Sequence, residues 1–332
     1  MGEFELLAAL RQRLPAPGHR VSLGSGDDAA VTVPGGATAT SVDAVLDGVH
    51  FRRGVATPAQ IGRKALATAL SDLAAMGAEA GEAYVVAGVP EDLGEEEFLA
   101  LLDGMLALAA ETGTTLAGGD LSRAPTLTLA LTVVGHASGP ELLISRGGAE
   151  PGDALVLSGE LGGAAAGLLL LERPELAAEV PGETAERLRR RQLEPTPRLR
   201  TGRALAAAGA RAMIDLSDGL GGDAAHLAAA SGAALRIDAA ALPLAKGVAE
   251  VAAAAGLDPL ELAAGGGEDY ELLAALPPAR LSEASIAIGE AAETLLTPIG
   301  EVLAGDGVEI RLPDGGLLQA EGYDQLRPAK GS

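Results

Sequence analysis

The sequence predicts a mixed protein of the α/β (α+β) class. Strand-like and helix-like segments alternate along almost the whole chain, which is typical of sheets packed with helices. Apolar residues make up 48% and charged residues 21% of the composition, as in ordinary globular proteins. A length of 332 residues is sufficient for two domains with buried cores.

The individual elements follow from periodicity and composition. Strands are predicted at Ala37–Val42, Ala83–Val89, Thr126–Gly135, Ala154–Ser158, Ala212–Leu216, Ala233–Asp238 and Glu271–Leu276. Helices are predicted at Pro58–Met76, Glu95–Glu111, Gly162–Leu171, Thr201–Ala208, Gly222–Ala230 and Ala245–Ala255. Alternation of threonine with apolar residues over Thr126–Thr132 predicts a sheet with one wetter face.

A segment rich in glycine and proline, Ser138–Asp153, is the best predicted domain boundary. It separates an N-terminal domain, 1–138, from a C-terminal domain, 139–332. Near the end of the chain, Val308–Leu312 alternates, Asp314-Gly315 is a turn signal, and Leu317-Leu318 begins a return strand. This pattern predicts a closing hairpin.

Charge and composition exclude several classes of function. With 24 basic and 46 acidic residues the net charge is −22, which argues against a nucleic-acid partner. The absence of cysteine excludes disulfides and cysteine nucleophiles, and it fits a cytoplasmic location. The acidic start, Met1–Glu5, lacks the features of a secretory signal, and no apolar run is long enough to predict a membrane span.

Aspartates recur beside glycine and next to apolar runs. They lie in Gly24–Asp28, Ser41-Val42-Asp43, Ser71-Asp72-Leu73, Gly118-Gly119-Asp120 and Asp215–Gly219. Carboxylates placed in this way are costly unless a cation neutralises them, since two of them about 4 Å apart repel by roughly 4 kcal/mol. Oxygen ligands select magnesium or calcium, and magnesium indicates nucleotide phosphates. The pattern therefore predicts phosphoryl-transfer chemistry.

Each acid also has a simpler interpretation. Asp72 projects near the apolar stripe of its helix, which favours a cation at the edge of a cleft, although it could cap a neighbouring loop. Asp43, Asp120 and Asp215 end strands, where one alone could be a helix cap. Asp27-Asp28 fits an ordinary aspartate turn equally well.

A second glycine-rich segment, Gly265-Gly266-Gly267-Glu268, allows close approach of the backbone to a ligand. Glu268 could accept hydrogen bonds from a substrate amine, or it could be a solvated acid in a plain loop. His50 alone is more often structural than catalytic. Ser217 has no histidine partner, so no hydrolase triad is predicted.

One basic cluster, Arg187, Arg189, Arg190 and Arg191, is predicted to be the solvated face of a helix that begins near Glu183. A phosphate-facing or interface role is the alternative. No Walker loop of the form GxxxxGK[ST] is present in the sequence.

In their order and spacing, the motifs resemble the thiamine-monophosphate kinase family, within the superfamily that includes aminoimidazole-ribonucleotide synthetase and selenophosphate synthetase. The resemblance spans nearly the whole sequence. It is carried by Gly2-Glu3-Phe4, Gly26-Asp27-Asp28, Leu70–Gly77, Gly118-Gly119-Asp120, Ile214–Gly219, Gly266–Leu272 and Gly322-Tyr323-Asp324.

The resemblance implies transfer of the γ-phosphate of ATP to thiamine monophosphate, with several Mg²⁺ ions. It implies magnesium ligands at Asp27, Asp28, Ser41, Asp43, Asp72, Asp120, Asp215 and Asp218, of which Asp72, Asp120 and Asp215 are expected to be catalytic. Val42 departs from the pattern, because the family often has a hydroxyl there, and only its carbonyl could be a ligand. ATP contacts are implied at Gly119, Asp120, Arg146 and Ser217, and thiamine monophosphate contacts at His50, Glu268 and Tyr323.

The implied fold has an N-terminal domain that pairs with its copy in a homodimer and carries the ATP and magnesium ligands. Its C-terminal domain is a sheet covered by helices that completes the active site. The acceptor phosphate is already ionised, so direct transfer without a phosphoenzyme is expected, with Arg146 adding positive charge.

Two alternatives remain open. One is a sister ATP-dependent enzyme of the same superfamily that acts on another phosphorylated or amidated substrate. The other is a calcium-binding acidic module without enzymatic activity, although the sequence contains no EF-hand pattern.

Overall fold

The computed structural model describes residues 9–10, 12–25, 29–320 and 322–323. The predicted metal ligands Asp27 and Asp28 lie outside the described residues. The chain divides into two compact units. The first unit comprises residues 1–143 and 193–199, and the second comprises residues 144–192 and 200–332.

A four-stranded sheet and two long helices form the centre of the first unit. The unit's described elements are β1 (Val21–Leu23), β2 (Val31–Thr32), β3 (Ala37–Leu46), α1 (Pro58–Ala75), β4 (Glu79–Val89), α2 (Glu95–Thr112), β5 (Thr115–Arg123) and β6 (Thr128–Ala137). The sheet has the order β3-β6-β4-β5, with β5 parallel to β4 and β6 antiparallel to both of its neighbours. β1 and β2 form a separate antiparallel pair.

Local sequence explains where α1 and α2 begin and how closely they pack. Thr57 and Gln60 form a capping box at the start of α1, with Pro58 in the first turn. Glycines at the crossing let the helices touch, because a methyl group on Gly62 or Gly104 would collide with the backbone of the other helix. Both helices occur where the sequence predicts them.

The two faces of this sheet differ in burial. On β6 the residues Leu129, Leu131 and Val133 are buried, while the alternating residues between them are partly exposed. This pattern agrees with the predicted wetter face. On the wetter face, Val42 of β3 is 70% exposed and Val86 of β4 is 50% exposed.

The second unit contains a six-stranded sheet with helices. Its described elements are β7 (Ala154–Ser158), α3 (Gly163–Glu172), α4 (Gly182–Leu193), α5 (Leu199–Ala207), β8 (Ala212–Asp215), α6 (Leu220–Ser231), β9 (Ala234–Asp238), α7 (Val248–Ala255), α8 (Pro259–Gly265), β10 (Leu272–Leu276), α9 (Leu281–Ala292), β11 (Leu296–Leu303) and β12 (Gly307–Arg311). The strand order is β12-β9-β11-β7-β10-β8, and only the β12–β9 pair is parallel among these. Every residue of β10 is buried.

Several features differ from the predictions. Asp43 and Asp120 are predicted to end strands, but they lie inside β3 and β5, because both strands run further than their local patterns indicate. The helices α8 and α9 are absent from the predictions. β11 is absent from them because Pro298 and Gly300 interrupt its pattern, and the structure accommodates both residues through a shift in register against β7. The predicted return strand of the closing hairpin is only a single antiparallel bridge between Arg311 and Leu317. Within the described ranges, no helix has the length and apolar character needed to cross a membrane.

Candidate functional site

Ser41 and Asp72 form the first group of predicted site residues. Ser41 lies on β3, on the face that packs against α1, and Asp72 lies on α1 in a partly buried position. The Ser41 hydroxyl donates a hydrogen bond to Asp72 Oδ2. The fold therefore brings together two motifs that are 31 residues apart in the sequence.

Asp43 lies inside β3, before the strand ends at Leu46, and His50 lies in the turn that follows the strand. Asp43 Oδ1 accepts a hydrogen bond from the Ala44 amide at 2.7 Å. His50 Nδ1 accepts one from the Leu46 amide at 3.2 Å, which places the proton of the neutral ring on Nε2. His50 thus stabilises this turn and keeps an N–H donor on the other side of its ring.

Asp120 lies elsewhere in the first unit. It is exposed on the edge strand β5, where its Oδ2 accepts a hydrogen bond from Ser122 Oγ at 3.0 Å. Asp43 and Gly119 occupy the same row of the sheet, three strand spacings or about 14 Å apart. The first unit therefore does not bring Asp120 together with Asp43 and Asp72.

A cavity of about 640 Å³ lies beside β5. Apolar residues of α2 line one wall, including Phe98 and Met105. The Gly118–Asp120 segment lines another wall together with Tyr84, whose phenol pKa is raised by burial and by the charge of Glu82. Gly24, Ser25, Ala29 and Ala30, which come shortly before and after Asp27-Asp28 in the sequence, also line the cavity.

In the second unit, the Asp215–Asp218 segment joins the end of β8 to α6. Asp215 is buried, and Ser217 and Asp218 are partly buried. The Asp218 amide donates to Asp223 Oδ2 at 3.0 Å. Burial, together with the charges of Asp215 and Asp218, raises the pKa of Asp223 to about 7. The structure thus concentrates three carboxylates at this end of α6.

Sequence reasoning missed Asp223. Its position in the first turn of a predicted helix, five residues after Asp218, was the available signal.

The loop that carries Glu268 lies beside this segment. The Glu268 amide donates to the Ser217 carbonyl at 2.8 Å, and the Tyr270 amide donates to the Leu216 carbonyl at 2.9 Å. Gly267 is required here, since any side chain at this position would collide with the Ser217 carbonyl. The Glu268 carboxylate is partly buried, and its Oε2 accepts a hydrogen bond from Gln192 Nε2 at 2.5 Å.

Tyr323 reaches the same group from the end of the chain. Its amide donates to the Asp218 carbonyl at 3.0 Å, and 61% of the residue is exposed. Close contact of Gly322 with Gly222 of α6 places it there, because a Cβ on Gly222 would lie 2.7 Å from the Gly322 Cα. Ser217, Asp218, Glu268 and Tyr323 are therefore gathered at one end of α6.

Two other acids of the Glu268 loop have structural roles. Asp269 caps α3 by accepting from the Gly162 amide at 2.6 Å and the Ala164 amide at 3.0 Å. Glu271 accepts from Ser158 Oγ at 2.7 Å. Burial raises the pKa of Asp269 to about 6, although nearby Arg191 opposes this shift.

The predicted solvated face of α4 is therefore wrong for Arg191, which faces these buried carboxylates. Arg190 is exposed, as predicted.

Arg146 lies away from the Asp215–Asp218 segment. Its carbonyl accepts from Ser231 Oγ at 3.3 Å, at the last residue of α6. A helix of 12 residues is about 18 Å long. The Arg146 backbone and Ser217 are thus at opposite ends of α6.

The chemistry of these donors fits a hard cation, since every described candidate ligand is an oxygen. Among the residues described, no group of three or more histidine, aspartate or glutamate side chains could hold a metal ion. Mg²⁺ typically takes one or two carboxylates and completes its shell with water and substrate phosphates. The residues fit such a shared site better than a cage made of protein alone.

Two family models match the chain. Residues 26–137 match the model of AIR synthase related protein, N-terminal domain, and residues 150–313 match that of AIR synthase related protein, C-terminal domain. The fold and site thus define an AIR synthase related protein.

Similar proteins narrow the assignment. Thiamine-monophosphate kinase of Mycobacterium tuberculosis is 40% identical over 82% of this chain and 80% of its own length. That of Salmonella typhimurium is 39% identical over 87% of each chain. The chain belongs to the thiamine-monophosphate kinase family.

Solved structures support the same assignment. The crystal structure of thiamine-monophosphate kinase from Stenotrophomonas maltophilia K279a is 36% identical, with a TM-score of 0.83 over 96% of this chain and 98% of that one. A structure of AaThiL complexed with AMPPCP and TMP is 28% identical, with a TM-score of 0.76 over 97% of this chain and 96% of that one.

Proposed function

We propose that this chain transfers the γ-phosphate of ATP to thiamine monophosphate and releases thiamine diphosphate and ADP. The observation that carries the proposal is the similarity, over 97% of the chain, to a protein complexed with AMPPCP and TMP. The grouping of Ser217, Asp218, Glu268 and Tyr323 in the second unit supports it, because these residues come from separate motifs with one implied function.

ATP binding is assigned to Gly119, Asp120, Arg146 and Ser217. The cavity beside β5 suits the adenosine part, since it combines an apolar wall with the outer backbone edge of a strand that has only one neighbour in the sheet. Unpaired N–H and C=O groups of an edge strand can hydrogen-bond a purine. Asp120, which is exposed, also lines this cavity.

Several Mg²⁺ ions are assigned to the aspartates. The ligands would be Asp27, Asp28, Ser41, the Val42 carbonyl, Asp43, Asp72, Asp120, Asp215 and Asp218. Bound Mg²⁺ supplies positive charge that lets two anionic substrates approach each other. The crowded carboxylates around Asp223, whose pKa is raised to about 7, support a cation at that place.

Thiamine monophosphate binding is assigned to His50, Glu268 and Tyr323. The Nε2–H of His50 can donate to a phosphate oxygen, because Nδ1 is already used as an acceptor. The Glu268 carboxylate can accept from the amine of the pyrimidine. The exposed ring of Tyr323 offers a surface for stacking.

The transfer itself needs no general base. An ionised oxygen of the acceptor phosphate attacks the γ-phosphorus, and the bond between the γ-phosphorus and the bridging oxygen of ADP breaks. Asp72, Asp120 and Asp215 would hold the Mg²⁺ ions that neutralise and align the two substrates, and Arg146 would add positive charge. No phosphoenzyme forms.

A second copy of the chain is proposed to cover the wetter face of the first unit's sheet. α1 packs against the other face, whereas Val42 and Val86 are 70% and 50% exposed on this one. Exposed valines on a sheet face favour a homodimer. The N-terminal domain, 1–138, would then provide the dimer contact and the ATP contacts Gly119 and Asp120. The C-terminal domain, 139–332, would provide Arg146, Ser217 and most thiamine contacts. Use of ATP supports a cytoplasmic location.

Product analysis tests the function. The purified chain is incubated with ATP, Mg²⁺ and thiamine monophosphate, and nucleotides and thiamine esters are separated by chromatography. Equimolar ADP and thiamine diphosphate are expected. ADP release without thiamine diphosphate would contradict the proposal.

A sister enzyme of the superfamily is the second candidate. Adding other phosphorylated or amidated substrates in competition distinguishes it, because such an enzyme would release ADP faster with one of them than with thiamine monophosphate.

A further inference from the structure

Arg191 and Gln192 lie in the last turn of α4, and both contact the loop that carries Glu268. Gln192 Nε2 donates to Glu268 Oε2 at 2.5 Å. Arg191 Nη2 lies 3.3 Å from Glu271 Oε1 and 3.9 Å from Asp269 Oδ1. Two consecutive residues thus contact all three carboxylates of the loop.

Arg191 anchors the Glu268 loop through two of its buried carboxylates. The side chains of Asp269 and Glu271 are 1% and 0% exposed, so their charges need a partner inside the protein. The guanidinium of Arg191 also donates to the Glu160 carbonyl at 2.8 Å, which fixes its direction. Gly163 makes room for it, since a methyl group there would collide with the Arg191 side chain.

The backbone of the loop is held in an unusual conformation. Glu268 and Tyr270 have φ angles of 65° and 51°, in the left-handed region that residues other than glycine rarely adopt. Their amides are bonded to the carbonyls of Ser217 and Leu216. The Asp215–Asp218 segment therefore fixes the backbone of Glu268, and the direction of the Glu268 carboxylate depends on its side-chain contacts.

We propose that Gln192 is a positioning residue for thiamine monophosphate. Its amide holds the Glu268 carboxylate in the orientation that receives the substrate, while Arg191 keeps the loop beneath it in place. The inference rests on the proposed role of Glu268 in substrate binding. Gln192 is buried, so its amide has a fixed partner rather than solvent. If the Glu268 carboxylate could rotate freely, the substrate would have to order it on binding. That entropy cost would weaken the affinity for thiamine monophosphate.

The variant Gln192→Leu removes the donor at a similar side-chain volume. We expect the KM for thiamine monophosphate to rise about ten-fold, while kcat and the KM for ATP stay within about two-fold. Gln192→Met is a second variant that retains the length of the side chain and guards against misfolding. Glu186→Gln, on an exposed residue of the same helix, is the matched control and should leave both KM values unchanged.

A double-mutant cycle with Glu268→Ala separates positioning from general damage. Gln192→Leu should add no further rise in the KM for thiamine monophosphate when Glu268 is already alanine. Equal fold-changes in both backgrounds would overturn the inference. If Glu268→Ala raises the KM for thiamine monophosphate and Gln192→Leu does not, the proposed role of Gln192 is overturned, while that of Glu268 stands. No effect of Glu268→Ala would overturn the proposed role of Glu268 and the inference with it.

Discussion

Two pairs of acids are held by different kinds of partner. In the first unit Asp72 and Asp120 accept hydrogen bonds from the hydroxyls of Ser41 and Ser122 and lie at or near the surface. In the second unit Asp223 and Asp269 are buried and accept from backbone amides.

This difference separates two uses of the same residue type. A hydroxyl partner at a partly exposed carboxylate can be replaced by a cation or a phosphate-bound ion at little cost. An amide partner at a buried carboxylate cannot leave without breaking the backbone arrangement. We therefore propose that Asp72 and Asp120 serve the reaction, whereas Asp223 and Asp269 hold the backbone of the segments next to them.

The largest expected effect is on turnover in the first unit. Asp72→Asn removes the charge of a proposed ligand while retaining its shape, so kcat should fall by about 10²–10³-fold. The free energy of unfolding should change by less than about 1 kcal/mol, because Asp72 is not fully buried. Steady-state kinetics and urea denaturation measure the two quantities. Near-normal kcat would remove Asp72 from the catalytic set.

The opposite result is expected for the second unit. Asp269→Ala leaves the Gly162 and Ala164 amides without their acceptor and Arg191 with one fewer carboxylate. The free energy of unfolding should fall by about 2–4 kcal/mol. Urea denaturation checks this value. A loss of activity at unchanged stability would show that Asp269 belongs with Asp72 and Asp120.

The pH dependence of stability sharpens the same point. The pKa of Asp269 is raised from 3.8 to about 6 in the folded protein, so the folded state binds more protons than the unfolded state between these values. Its stabilising contribution is therefore present below about pH 4 and lost as pH rises through about 6. The difference in unfolding free energy between wild type and Asp269→Asn should fall by roughly 2–3 kcal/mol over this range. A difference that is independent of pH would contradict the assignment.

A paired acid outside both groups should have the smallest effect. Glu111 accepts from Arg63 Nη1 and Nη2, both at 2.8 Å, and this pairing lowers the pKa of Glu111. Its side chain is 53% exposed, so Glu111→Gln should cost less than about 1 kcal/mol and leave kcat unchanged. The same denaturation and kinetic assays apply. A ten-fold fall in kcat would show that Glu111, although paired with Arg63, also contributes to the reaction.

Much of the fold was predictable because its periodicity is strong. Ala154–Ser158 is a strand with the predicted bounds, and the long helices α1 and α2 agree to within a residue at each end. β11 was not predictable, since Pro298 and Gly300 interrupt its pattern and only the register shift against β7 makes it a strand. Local sequence predicts an element whose hydrophobic periodicity is regular. Where the periodicity is interrupted, pairing with a neighbouring strand determines the structure.

The candidate site was predictable to a lesser degree. The glycine-rich motifs indicated Glu268 and the Asp215–Asp218 segment, because an acid beside glycine can be recognised within a few residues of sequence. Gln192 has no such signal, because its contact with Glu268 depends on the packing of α4 against a loop 76 residues away. Asp223 has only the weaker signal of its place in the first turn of a predicted helix, next to Gly222. Asp43 and Asp120 belong to strands at opposite edges of one sheet, which their spacing in the sequence does not reveal.

Calorimetric titration of thiamine monophosphate into the protein loaded with AMPPCP tests the central claim, that cations at the aspartates let two anions bind together. With Mg²⁺ the affinity for thiamine monophosphate should be at least about ten-fold higher than with EDTA, and Asp72→Asn should reduce this gain. Equal affinity with and without Mg²⁺ would contradict the account.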